Sequence, residues 1–146
     1  MSIFSFVKEA GEKLIDLLTP GNANASEQLK EHISKVGLGS PNVQATVDGD
    51  KVTVTGEVAS QEEKEKILLA VGNIEGVGSV DDQITVTGPV VVAAKFVTVV
   101  KGDTLSAISL RVYGDANKYQ KIFEANKPML KDVNKIYPGQ SLRIPE

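Results

Sequence analysis

Between residues 72 and 78 the chain reads Gly-Asn-Ile-Glu-Gly-Val-Gly, three glycines in seven positions directly after an apolar helical stretch. The last carbonyls of a helix have no helical partners and carry the negative end of its dipole. Glycines beyond that end let the backbone bend so that successive carbonyl oxygens converge. Side chains suited to catalysis are scarce by comparison. His32 is the only histidine, it follows Glu31 on an expected helix, and Ser106 and Ser109 have no histidine near them. Cysteine is absent, which excludes disulfides, thiolate metal sites and cysteine nucleophiles. No Walker sequence is present, and Gly76-x-Gly78 lacks the strand-before and helix-after context of a dinucleotide fingerprint. Asp48-Gly49-Asp50 is too short for a calcium loop and reads as a hairpin turn, while Asp81-Asp82 lacks further ligands and reads as an exposed acidic pair. A binding protein without enzymatic activity is the expectation.

The elements that position the glycine stretch follow from apolar periodicity. Ile3, Phe6, Val7, Ala10, Leu14, Leu17 and Leu18 recur at threes and fours, which predicts an N-terminal amphipathic helix over residues 3–18, with Gly11 inside it and Thr19-Pro20-Gly21-Asn22 ending it. Ser26 is placed to cap a second helix carrying Leu29, Ile33 and Val36. Val43, Ala45 and Val47, then Val52 and Val54, alternate with polar residues on either side of Asp48-Gly49-Asp50, the pattern of a β-hairpin. Ser60 with Glu63 forms a capping box for a third helix with Ile67, Leu68 and Val71 on its apolar side. Val80, Ile84 and Val86 predict a last strand, so this module reads αββαβ, a helical layer on one face of a small sheet.

Residues 87–94 are the candidate linker. Beyond them Phe96, Val97 and Val99 predict a strand, Thr104 caps a helix with Leu105, Ile108 and Val112, and Tyr119, Ile122 and Phe123 lie on another. Leu142 and Ile144 follow the Pro138-Gly139 turn as a closing strand, giving βααβ. The expected class is α+β: N-terminal helix 1–20, first domain 21–88, linker 89–95, second domain 96–146. The net charge of −3 divides into −7 over residues 1–88 and +4 over residues 89–146. Such halves can attract each other across an interface, and the acidic half favours cations over phosphates. The basic half holds no dense Lys/Arg run, so nucleic acid is not expected as a partner.

The apolar start Met1–Val7 is followed at once by Lys8, Glu9, Glu12 and Lys13, with no basic region before it and no small-residue cleavage site after it. No apolar run approaches the about 20 residues that span a bilayer. A cytoplasmic monomer without membrane insertion is the expectation.

Residues 96–145 resemble a LysM domain. The resemblance rests on Val99-x-x-Gly102-Asp103-Thr104-Leu105-x-x-Ile108, on Tyr113-Gly114 and Asn126, and on Ile136-x-Pro138-Gly139-Gln140-x-Leu142-x-Ile144-Pro145. Residues 26–87 resemble a BON domain through Val52-x-Val54-x-Gly56-x-Val58, the helix after it, and Ile74-x-Gly76-Val77-x-x-Val80. The combination over essentially the full length resembles the bacterial cytoplasmic potassium-binding proteins of BON–LysM architecture. That resemblance implies selective K+ binding with a change of conformation, in potassium sensing or buffering. It names no downstream protein partner.

Potassium is large and weakly hydrated, and backbone carbonyls can build selective sites for it. The expected ligands are carbonyls of Val7, Ala10, Gly72, Ile74 and Val77, with Glu75 as a weaker candidate; the alternative is that the glycine stretch is a helix cap and tight turn alone. LysM domains bind N-acetylglucosamine polymers in a groove between two loops, which here implies Gly102, Asp103, Thr104 and Leu105 opposite Asn134, Lys135, Ile136 and Tyr137. Glycan binding through that groove, and an interaction protein in which any ion is structural, stand as alternatives to potassium binding.

Overall fold

The computed structural model describes residues 2–7, 25–39, 42–89 and 91–145. Strands β2 (Asn42–Asp48) and β3 (Lys51–Val58) pair antiparallel with Asp48 opposite Lys51, so Gly49 and Asp50 form the two-residue hairpin loop. Helix α2 (Gln61–Gly72) then crosses to β4 (Ser79–Val86), which runs parallel to β3 with Val52 opposite Val80. Parallel neighbours require such a crossover because a tight turn cannot reverse the chain twice. Strand β1 (Ser2–Ser5) pairs antiparallel with β4, and the sheet order is β1-β4-β3-β2.

Alternation decides which face is covered. Val43, Val52, Val54, Val58, Val80 and Ile84 are buried on one side, where Leu29 and Ile33 of α1 (Ala25–Lys35) and Ile67, Leu68 and Val71 of α2 pack against them. Helix α2 begins as expected: the Ser60 side chain accepts from the Glu63 N–H at 3.1 Å. Helix α1 starts at Ala25, so position 26, expected just before the helix, falls in its first turn.

The expected helix over residues 3–18 needs a correction. Residues 2–5 are extended, with Phe4 opposite Val80 and Ile3 facing outward at 61% exposure. Without β1 the backbone of β4 would be an open sheet edge, and pairing with it satisfies more backbone groups than a short frayed helix start could. Residues 8–24, including Ala10 and Gly11, lie outside the described residues.

The second module is β5 (Lys95–Thr98), α3 (Leu105–Tyr113), a 3-10 turn at Ala116–Lys118, α4 (Tyr119–Ala125) and β6 (Ser141–Ile144), with β5 and β6 antiparallel. Thr104 caps α3 by accepting from the Ala107 N–H at 3.1 Å, and Gly114 ends it in the left-handed conformation. Val99, Leu105, Ile108, Ile122, Leu130, Leu142 and Ile144 make its core. Phe96 and Met129 turn away from that core and pack on the first one, the Phe96 ring lying 5.1 Å from that of Phe4.

Candidate functional site

The glycine stretch forms a tight turn locked on three sides. Asn73 closes α2 by donating its N–H to the Leu69 carbonyl at 2.9 Å. Val77 N–H donates to the Ile74 carbonyl at 3.1 Å, and Gly76 sits between them at φ 97°. A turn of this type requires a positive φ at its third residue, which glycine adopts without steric penalty. The side chains of Ile74 and Val77 are fully buried in the sheet–helix core while Glu75 is exposed. The turn's exit is fixed to the hairpin tip, since the N–H groups of Gly78 and Ser79 both donate to the Asp50 carbonyl, at 2.8 and 3.2 Å.

The N-terminal segment supplies the third side. Phe6 N–H donates to the Gly78 carbonyl at 2.9 Å, and the Phe6 ring covers Gly72 so closely that a Cβ there would overlap it. Gly72, Ile74, Glu75 and Val77 therefore lie on one turn, and Val7, exposed, follows the residue docked onto it. Ala10 lies outside the described residues. The Ile74 and Gly78 carbonyls each accept one backbone bond and retain a second lone pair.

The same turn reaches the second module. Asn73 Nδ2 donates to the Ser141 carbonyl at 2.9 Å, and its Oδ1 accepts from the Ser141 N–H at 2.8 Å. One helical face earlier, the buried Glu65 carboxylate accepts from Arg143 Nε at 2.7 Å, from Gln61 Nε2 at 3.0 Å and from the Ala94 N–H at 2.9 Å. Asp82 is also buried, against the expectation of an exposed acidic pair. It falls on the helix-facing side of β4, where Lys64 of α2 meets it at 2.8 Å and the Ile84 N–H donates to it at 3.0 Å. The alternation of Val80, Asp82 and Ile84 could have placed Asp82 on the buried face, but the charged partners Arg143 of Glu65 and Lys64 of Asp82 lie on other elements and nothing local names them.

Residues 22–88 match the BON domain and residues 97–145 the LysM domain. Over 150 aligned residues, covering 100% of this chain and 99% of its relative, the chain is 57% identical to a protein of Escherichia coli O6:H1, strain CFT073, named Potassium binding protein Kbp. The chain belongs to the Kbp family. Its BON–LysM architecture is the one the sequence resembles. Over 63 residues, 37% of this chain and 29% of the other, it is 40% identical to the uncharacterized protein YqbP of Bacillus subtilis strain 168. Among the described residues, no group of three or more His, Asp or Glu side chains is arranged to hold a metal ion, and no helix is long and apolar enough to cross a membrane.

In this Kbp-family chain the residues expected to form a LysM groove are engaged in the fold of their own loops. Asp103 accepts from the Val100 N–H at 3.1 Å and meets Arg111 at 3.4 Å. The Val100 bond, ahead of the Arg111 contact, holds its carboxyl below the ordinary aspartate value of 3.8. Thr104 is the α3 cap, Leu105 is buried in the core, and Gly102 takes a positive φ in the turn before them. On the facing loop, the Asn134 and Lys135 N–H groups donate to Asp132 at 2.9 and 3.1 Å, and half-buried Ile136 packs on the LysM core. Lys135 and Tyr137 line a cleft facing the BON module.

Proposed function

We propose that this chain binds potassium selectively, through carbonyl oxygens of the turn 72–78 and of the N-terminal segment, and that binding draws the two modules together. Val7, Gly72, Ile74 and Val77 are the ligands proposed within the described residues, Ala10 beyond them, and Glu75 the side-chain candidate. The observation that carries this reading is the docking of Phe6 onto both Gly72 and Gly78, which brings two stretches of irregular backbone side by side. A large monovalent ion suits converging carbonyl dipoles better than carboxylate clusters do. The name of the full-length relative from E. coli supports the choice of ion.

Compaction follows from where the turn leads. Asn73 begins it and grips Ser141, so ordering the turn around an ion also orders the contact with the LysM domain. In this reading the protein is a cytoplasmic monomer that senses or buffers potassium. Calorimetric titration of metal-stripped protein with KCl and NaCl tests it: saturable heat with K+ and much weaker heat with Na+ is expected. Because the unfolded chain has no converged site, K+ also raises the thermal midpoint. Equal response to both ions would end the proposal. Deleting residues 1–12 should weaken K+ binding, and unchanged affinity would remove the N-terminal segment from the site.

A further inference from the structure

A cleft of about 500 Å3 lies between the two modules, within the range of about 300–1,000 Å3 common for small-molecule sites. One wall comes from α1 and α2, including Lys35, Leu69 and Ala70; the other comes from the LysM segment between α4 and β6, including Met129, Lys131 and Lys135. Among the described residues its lining holds no aspartate or glutamate, while three lysines are present and His32 joins them. This happens in a chain of 19 acidic and 16 basic residues, so the lining reverses the overall balance. Leu69 and Ala70 are buried and make an apolar floor beneath the lysines.

Two acids near the lysines are already committed. Glu31 meets Lys35 at 3.3 Å across one turn of α1, both side chains being largely exposed, which leaves that pair weak and exchangeable. Asp132 turns its carboxylate to the Asn134 N–H at 2.9 Å and so caps its own loop. A concave site lined by one sign of charge raises the local concentration of the opposite sign.

We propose that this cleft binds a small organic anion, its carboxylate or phosphate held among Lys35, Lys131 and Lys135 and its apolar body seated on Leu69, Ala70 and Met129. The cleft meets the turn proposed for potassium at Asn73, and its lysines would repel a cation.

Amide spectra of the full chain, recorded at fixed KCl and matched ionic strength, test this with sodium hexanoate, sodium hexyl phosphate and sodium phosphate as probes. Saturable shifts at Leu69, Ala70, Lys131 and Lys135 are expected with at least one organic anion, the tighter of the two naming the head group. Inorganic phosphate, with no methylenes to bury, should bind about tenfold more weakly or worse. The double variant Lys131→Glu/Lys135→Glu changes two exposed side chains and should lose saturable binding with its spectrum still dispersed. Lys101→Glu, an exposed position outside the cleft, should keep it. Shifts that never saturate, equal binding of inorganic phosphate, or undiminished binding by the double variant would each overturn the proposal.

Discussion

Asn73 holds the backbone of Ser141 from both sides, Nδ2 donating to its carbonyl at 2.9 Å and Oδ1 accepting from its N–H at 2.8 Å. A side-chain amide here imitates a strand: it presents the donor–acceptor pair that an edge residue of β6 would find in a neighbouring strand. The residue that opens the glycine turn of the BON domain is thus the residue that completes an edge of the LysM domain.

Replacing Asn73 by Ala should therefore destabilise the protein by about 2 kcal/mol, since a buried N–H and carbonyl at Ser141 both lose their partner. Ser141→Ala should do less, because the backbone of Ser141 makes both bonds. Urea unfolding of the two variants compares them directly, and equal effects would mean that the paired bonds contribute little.

A second link between the modules is the buried contact of Glu65 with Arg143. Glu65→Ala leaves the guanidinium with a lost partner and frees the Ala94 N–H, and should cost about 3 kcal/mol or more. Replacing both residues by Met removes the two charges together and should cost less than Glu65→Ala alone. A double-mutant cycle in urea measures the coupling; single effects that add within about 0.5 kcal/mol would show the pair to be independent.

Much of this architecture was legible in the sequence. Val43 to Val54 with Gly49 between them specified the hairpin, Ser60 and Thr104 specified two helix starts, and the LysM residues from Val99 to Pro145 specified the second fold. All of those signals are local. The N-terminal strand was missed because Ile3, Phe6 and Val7 fit a helical spacing, while Phe4 and Phe6 equally fit a period of two, and only the open edge of β4 decides between them. The candidate turn was found from its glycines, yet the cover of Gly72 by Phe6 was not, since it depends on that strand. Glu65 with Arg143 and Asn73 with Ser141 are separated by 78 and 68 residues, and nothing in either local segment names its partner.

Gly72 offers a test in which helix propensity and packing oppose each other. Alanine should favour the last turn of α2 by up to about 1 kcal/mol. Its Cβ, however, would occupy the space of the Phe6 ring, and such overpacking typically costs about 1–3 kcal/mol. Gly72→Ala should therefore release the N-terminal segment: faster amide exchange at Phe4 and Phe6 and a smaller K+-induced rise in melting temperature. Phe6→Ala should show the same loss, and combining the two should add nothing further. Full additivity would separate Gly72 from the N-terminal docking.

Acid titration probes the LysM loop through Asp103. The Val100 N–H, and after it Arg111, hold this carboxyl below the ordinary 3.8, so the folded state binds its proton less readily than the unfolded chain does. A depressed folded value contributes stability above the unfolded value, and that contribution fades as pH falls through the folded one. Asp103→Asn keeps an acceptor for Val100 but carries no charge and does not titrate. The stability difference between wild type and this variant should hold constant from pH 7 to about 5, then shrink below pH 4 as the wild-type carboxylate is protonated. Urea midpoints across that range follow the difference, and a constant gap down to pH 2.5 would show that Asp103 titrates alike in the folded and unfolded chains.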